Sequence, residues 1–304
     1  MARAAQYDRN GGPEILEVVE VTTAEPGQGQ VLLRVRAAGL NPFDAKVRGG
    51  FIPSDAAFPR RIASDVAGTV VAVGPDASYR DGTPVAVGDE VLGYAAGSAA
   101  DEVIASADSL ALRPDGLSVE QAGSLHIAGL TAVSLLATVP VGAGDTVLIG
   151  GAAGAVGFVA AQLAVAAGAS VIGTASERNH AMLRDVGVTP VPYGDGLADR
   201  VRAAGTITAV YDCHGRDALD AGAELGVPPE RMVAIAAYDA IAELGVLNVE
   251  REARTPENLA ALAAAIADGR LLFPVAQTFP LDEVADAFRA MESSHAPGKI
   301  VVVP

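Results

Sequence analysis

The sequence predicts an α/β protein: a β-rich first part, then a doubly wound parallel sheet. Three observations predict it. Val147-Leu148-Ile149-Gly150 is an apolar run of strand length; it meets Gly151-Ala152-Ala153-Gly154-Ala155-Val156-Gly157, and a small-residue helix follows from Phe158 to Ala164. Around that stretch strand and helix patterns alternate, with strands expected at 147–151, 171–175, 190–193, 207–213 and 231–237. Ahead of it, short apolar runs are broken by Gly and Pro, the pattern of a small barrel.

The early strands are Glu14 to Val21 and Gln30 to Ala37, separated by the turn chemistry of Glu25-Pro26-Gly27-Gln28-Gly29. Val66 to Gly74 reads as a strand pair, and Val87-Gly88-Asp89-Glu90-Val91 as a turn feeding another strand. The character changes near Arg113-Pro114-Asp115-Gly116. Ser118 stands as N-cap with Gln121 three residues later, a capping box. Past the central sheet a last parallel strand is expected at Gly245 to Val249. Thr255-Pro256-Glu257 then opens a helix with a cap, Pro at the first position and an acid in the first turn, and it stops near Gly269. An amphipathic helix over Leu281 to Phe288 and a closing strand from Lys299 to Val303 return to the short-strand style.

Composition narrows the function. A chain of 304 residues with 50% apolar content supports two domains or one large one. The net charge of −16 argues against a nucleic-acid surface. No membrane-type apolar stretch stands out, and Met1 to Asp8 lack the apolar core of a signal peptide, so a cytoplasmic enzyme is expected. Only two lysines occur, Lys46 and Lys299. Cys213 is the single cysteine, which rules out an internal disulfide and a Cys-rich zinc site.

The glycines at 151–157 permit a tight turn and a close backbone approach to a pyrophosphate, whose charge the N–H groups at the helix start then hold. The next strand ends beside the adenosine ribose, where an acid favours NAD and an arginine favours NADP. Here Val171-Ile172-Gly173-Thr174-Ala175 is followed by Ser176-Glu177-Arg178. Ser176 can donate and Arg178 can pair a 2′-phosphate, which favours NADPH. Glu177 pulls the other way, and Ser176 is equally able to cap a helix with Arg178 in solvent.

In order along the chain, the segments Gly11-Gly12-Pro13-Glu14-Ile15-Leu16, Gly39-Leu40-Asn41-Pro42-Phe43-Asp44, Asp65-Val66-Ala67-Gly68, Gly129-Leu130-Thr131-Ala132, Gly151 to Gly157 and Gly298-Lys299-Ile300-Val301 resemble the zinc-free, zeta-crystallin-like quinone oxidoreductases of the medium-chain dehydrogenase/reductase superfamily. The resemblance covers nearly the whole chain. It implies a GroES-like β-barrel catalytic domain over 1–115 and 270–304. A Rossmann NADP-binding domain over 116–269 is implied too, with the active site in the cleft between the two and a homodimeric assembly. The positions that carry catalytic zinc in related alcohol dehydrogenases are Asn41, Ser64 and Ile127 here, poor zinc ligands all three. That implies metal-free reduction of a conjugated acceptor, a quinone or an α,β-unsaturated carbonyl, whose charge spreads without a Lewis acid.

Carried over by position, Asn41 meets the nicotinamide and the acceptor, and Thr131 the nicotinamide end. Gly151, Ala153, Gly154, Ala155, Val156 and Gly157 hold the pyrophosphate. Ser176 and Arg178 take the 2′-phosphate, and Tyr193 lies against the adenosine phosphate. Cys213 and Ala236 border the cofactor, and Lys299 approaches it from the tail. Each has a plainer alternative: a turn residue at Asn41, a packed helix position at Thr131, a small apolar residue at Cys213, a surface lysine at Lys299. Asp44, Lys46 and Tyr94 are the candidates to line the acceptor pocket and donate the proton, although water can serve instead. Where the family often carries aromatic residues and Ala-Glu-Tyr, this chain reads Gly97-Ser98-Ala99-Ala100-Asp101-Glu102, which suggests a more open or more polar pocket. An enoyl-thioester reductase of a biosynthetic pathway and a low-turnover NADPH-binding sensor or structural protein remain alternatives.

Overall fold

The computed structural model describes residues 1–293 and 298–304. The chain opens with β1 (Ala2–Tyr7), β2 (Glu17–Val21) and β3 (Gln30–Gly39), then α1 (Pro42–Arg48). There follow β4 (Arg60–Arg61), β5 (Asp65–Val73), β6 (Glu90–Tyr94), β7 (Glu102–Ser106), β8 (Leu110–Leu112) and the long helix α2 (Val119–Thr138). The central part alternates: β9 (Thr146–Gly150), α3 (Ala155–Ala166), β10 (Ser170–Thr174), α4 (His180–Asp185), β11 (Val188–Val191), α5 (Leu197–Ala204), β12 (Ala209–Asp212), α6 (Asp217–Glu224), β13 (Met232–Ala234), α7 (Tyr238–Leu244) and β14 (Leu247–Asn248). The tail carries α8 (Pro256–Ala267), β15 (Val275–Pro280), α9 (Val284–Ser293) and β16 (Lys299–Val303).

Two compact units form, Met1–Ile127 with Thr255–Pro304, and Ala128–Arg254. The resemblance implied divisions at 115/116 and 269/270; here the start of α2 and helix α8 group with the first unit. The reason is packing within the first unit. The start of α2 lies against β3 so closely that a Cβ on Gly39 would stand 2.5 Å from the Ser124 Cα. Helix α8 likewise packs on β8.

In the first unit a three-stranded sheet, β2-β1-β4, is joined by the Ala4–Ala100 bridge to a seven-stranded sheet. The latter runs β15-β16-β3-β5-β6-β8, with β7 also paired to β3. Pairing is antiparallel except between β15 and β16. The barrel core is Val31, Leu33, Val35, Val66, Val70, Val91 and Leu110, the inward alternation of these strands. The expected strand pair over 66–74 is one strand, β5. Gly68 makes no turn there; a Cβ would meet the Arg34 carbonyl oxygen at 2.5 Å, so it marks a close backbone approach in a bulged pairing. The strand expected from Glu14 begins at Glu17, because Pro13–Ile15 form a 3₁₀ turn.

The second unit is a six-stranded parallel sheet in the order β11-β10-β9-β12-β13-β14, reversing direction between β9 and β12. Such reversal leaves a crevice at the strand carboxyl ends where ligands bind. Leu148, Ile172, Val210, Leu219 and Met232 are part of its core. Both helix starts read from the sequence form as expected. Ser118 Oγ accepts from the Gln121 N–H at 3.1 Å while Gln121 Oε1 accepts from the Ser118 N–H at 3.3 Å. Thr255 Oγ1 accepts from the Asn258 N–H. Among the described residues no helix is long and apolar enough to cross a membrane.

Gly39→Val should destabilise the first unit by about 3 kcal/mol through overpacking against α2, read as a lowered midpoint in urea unfolding.

Candidate active site

In the second unit, the turn after β9 is held by the end of β10. Thr174 Oγ1 accepts from the Gly151 N–H at 2.9 Å, and the Thr174 carbonyl accepts from the Ala152 N–H at 3.0 Å. Gly151 sits at φ +68°, a conformation that disfavours any side chain. A Cβ on Gly157 would stand 2.4 Å from the Gly151 carbonyl oxygen, so only glycine lets α3 start against the turn. The helix begins at Gly154 with no side-chain cap. The first N–H groups of α3, at Ala155, Val156 and Gly157, therefore lack the usual acceptor, and Ala153 borders them. This backbone cradle suits an anion.

At the end of β10, Ser176 is half-buried and caps a short turn, its Oγ accepting from Asn179 Nδ2 at 3.3 Å. Glu177 and Arg178 are both exposed beside it. Tyr193 is 54% exposed after β11. Its loop is pinned by a residue the sequence reading did not single out. Arg200 donates to the carbonyls of Pro192, Tyr193, Gly194 and Asp195 at 2.7–3.1 Å. No short motif announces this, since the contacts depend on how α5 returns under its own loop.

Asp212, fully buried at the end of β12, is the second residue missed. One carboxylate oxygen accepts from the N–H groups of His214 and Gly215 at 2.9 and 2.7 Å. The other accepts from Ala236 and Ala237 at 3.0 and 2.8 Å. The N–H of Ala236 is thus committed internally, so only carbonyls of this stretch can serve a ligand. Desolvation and the Asp212 carboxylate hold the Cys213 thiol well above its ordinary value, which leaves it protonated and a poor nucleophile. Thr131 is buried on α2.

The first unit gathers a different set. Lys299 from β16, Asn41 at the start of α1 and Asp65 on β5 are 4%, 3% and 0% exposed. Lys299 Nζ donates to Asn41 Oδ1 at 2.5 Å and to Asp65 Oδ2 at 3.2 Å. Asn41 Nδ2 donates to Asp65 Oδ2 at 3.1 Å, and the Ile127 N–H donates to Asp65 Oδ1 at 2.9 Å. Asp44 Oδ2 accepts from the Asn41 N–H at 2.9 Å, completing a capping box on α1. Both ends of the Asn41 amide and the Lys299 ammonium are therefore engaged inside the first unit. Each was expected to meet a ligand directly; here each already has partners within the first unit. Asp65 was quoted in a motif without a role, and its neighbours in sequence carry no sign of the ammonium that meets it. Lys46 is half-buried further along α1. Tyr94, paired across the sheet with Asp65, is 43% exposed, and its ring lies 5.7 Å from that of His126. Ser64 is buried, and among the described residues no group of three or more His, Cys, Asp or Glu is arranged to hold a metal ion.

Burial, and then the Asp65 charge, push the Asp44 carboxyl up to about 7. Hydrogen bonding from Asn41 and the Lys299 charge oppose that rise.

A barrel of this kind followed by a six-stranded parallel sheet is the plan of a two-domain dehydrogenase/reductase. Residues 27–115 match the alcohol dehydrogenase GroES-like domain and residues 192–302 the zinc-binding dehydrogenase family. The chain is 33% identical to a quinone oxidoreductase of Pseudomonas aeruginosa over 332 positions, 100% of each. It superposes on the Escherichia coli quinone oxidoreductase solved with NADPH at a TM-score of 0.87 and 26% identity, covering 99% of this chain and 100% of that one. It is also 32% identical to part of a mycocerosic acid synthase-like polyketide synthase of Mycolicibacterium smegmatis, over 97% of this chain but 15% of that protein. The chain belongs to the quinone oxidoreductases of the medium-chain dehydrogenase/reductase superfamily.

Two outcomes are expected. A carboxyl raised above its unfolded value contributes stability fully present below about pH 4 and lost as pH rises through about 7. Asp44→Asn cannot ionise, so the melting temperature of the wild type should fall relative to that variant between about pH 4 and pH 7 and level off above. Asp212→Ala removes the acceptor of four N–H groups, that of Ala237 buried, and should cost about 3 kcal/mol in chemical unfolding.

Proposed function

We propose that this chain is a metal-free, NADPH-dependent reductase that delivers hydride to a quinone or an α,β-unsaturated carbonyl. The observation that carries the reading is the uncapped start of α3, which only a glycine at 157 lets approach the Gly151 turn this closely. The structural neighbour solved with NADPH supports the cofactor.

Bound NADPH supplies a hydride from its nicotinamide ring. The N–H groups of Ala153, Ala155, Val156 and Gly157 hold the pyrophosphate, while Gly154 donates to the Gly151 carbonyl and shapes the turn. Ser176 donates to the 2′-phosphate and Arg178 neutralises it, while Tyr193, on the loop that Arg200 pins, flanks the adenosine. Thr131 serves the nicotinamide end, and Cys213 and Ala236 border the cofactor without reacting. In the first unit Lys299 and Asp65 orient the Asn41 amide and, through it, the first turn of α1. Asn41, Asp44 and Lys46 are thereby assigned to the acceptor side. Asp44 can hold a proton near neutral pH; water remains able to finish the reduction. The donor chemistry at Asn41, Ser64 and Ile127 favours metal-free reduction, because an amide, a hydroxyl and an alkyl group bind zinc poorly.

The similarity to a polyketide synthase segment favours one second reading, reduction of an enoyl-thioester. A screen that follows NADPH absorbance with quinones, enones and enoyl-thioesters separates the two. Oxidation with quinones or enones supports the first, turnover of thioesters alone selects the second, and tight NADPH binding without any turnover overturns both. Arg178→Ala should raise KM for NADPH about tenfold or more while leaving KM for NADH nearly unchanged; equal changes would refute the 2′-phosphate assignment.

A further inference from the structure

Two arginines follow the last strand of the six-stranded sheet without an acidic partner among the described residues. β14 ends at Asn248, and the chain continues through Glu250, Arg251, Glu252 and Arg254. Arg251 is exposed and Arg254 half-buried. Among the described residues neither forms an ion pair, although acids alternate with them in the sequence. Arg254 Nε reaches the Ser134 hydroxyl of α2 at 3.4 Å, the long limit of a hydrogen bond. That hydroxyl is itself spent on the Leu130 carbonyl. Burial, reinforced by Arg251, pushes the Arg254 guanidinium below its ordinary value, and Tyr238 at the start of α7 acts in the opposite sense.

In a chain with 37 acidic and 21 basic side chains, leaving a half-buried guanidinium without a carboxylate is costly. Partly buried charge that no carboxylate meets is a mark of ligand sites. The place fits that reading. Arg254 follows the carboxyl end of β14, and Tyr238 follows that of β13, both on the β12-β13-β14 side of the sheet reversal where the second half of a dinucleotide site lies. Ser134 is one turn along α2 from Thr131, on the same helix face.

We propose that Arg254, assisted by Arg251, receives a carboxylate carried by the acceptor, so that this reductase acts on anionic rather than neutral conjugated carbonyls. The inference rests on the reductase reading and names its substrate class. The guanidinium offers two parallel N–H donors to a carboxylate, and the ion pair gains strength from the partial burial.

The test compares a naphthoquinone bearing a carboxylate with the same naphthoquinone lacking it. For Arg254→Gln, KM for the carboxylated acceptor should rise about tenfold, with KM and kcat for the neutral one within twofold; Arg254→Lys should recover part of the loss. Isothermal titration of the carboxylated compound into the wild type and Arg254→Gln reads the same site without turnover, and inorganic phosphate is titrated alongside. Parallel changes for both acceptors, unchanged titration affinity, or an Arg254 effect on phosphate alone would overturn the proposal. If neither naphthoquinone is reduced by the wild type, the reductase reading loses support while the titration still decides the anion site. Should Arg254→Gln fail to fold by circular dichroism, Arg251→Gln supplies the same comparison, with a smaller rise of about threefold expected.

Discussion

Asp65 has no exposed surface, and its charge is met by donors from three distant parts of the chain: the Lys299 ammonium, the Asn41 amide and the Ile127 N–H. A buried carboxylate is tolerated only when such donors converge on it. The first unit is thereby constrained, because β5, the start of α1, the approach of α2 and the closing strand β16 must all arrive at one point. Removing any one of them leaves a buried charge short of partners, which costs several kcal/mol. The tail of the chain is consequently an integral part of the barrel. The residue that was expected to reach a cofactor, Lys299, spends its charge on holding Asn41 in place.

Asp212 does the same work in the second unit with neutral donors. Four N–H groups from the loops after β12 and β13 converge on its two oxygens. They define the carboxyl edge of the sheet where Cys213 and Ala236 stand. The loop after β11 is fixed in the complementary way, by one guanidinium that collects four carbonyls. These loops at the carboxyl edge of the sheet therefore have their N–H groups around Asp212, and their carbonyls around Arg200, already engaged. The start of α3 is the exception, and it is the feature on which the cofactor reading stands. Arg254 is a half-buried cation in this unit that meets no carboxylate among the described residues.

Much of this architecture is legible residue by residue. The capping box at Ser118 and Gln121, the cap at Thr255, the glycine turn at 151–157 and the alternation of strands and helices around it are all local patterns, and each forms. The readings that changed share another feature. Gly68 signals a turn by composition but serves as a close approach to β3, which only the pairing of β3 with β5 reveals. The domain boundary moves into α2 because Gly39 admits the helix against the barrel, a fact about two segments far apart in sequence.

The sequence by itself determined the fold class and the glycine turn, since these follow from residue type and short spacing; its resemblance to a family pointed to Asn41, Ser64 and Ile127 as the positions that carry zinc in related enzymes. Only the tertiary structure decided what Asn41, Lys299, Asp65, Asp212 and Arg254 do. The physical reason is that the energy of a buried charge depends on which donors or acceptors surround it. For Asp65 those come from positions 41, 127 and 299, while Arg254 meets only the hydroxyl of residue 134 and no carboxylate.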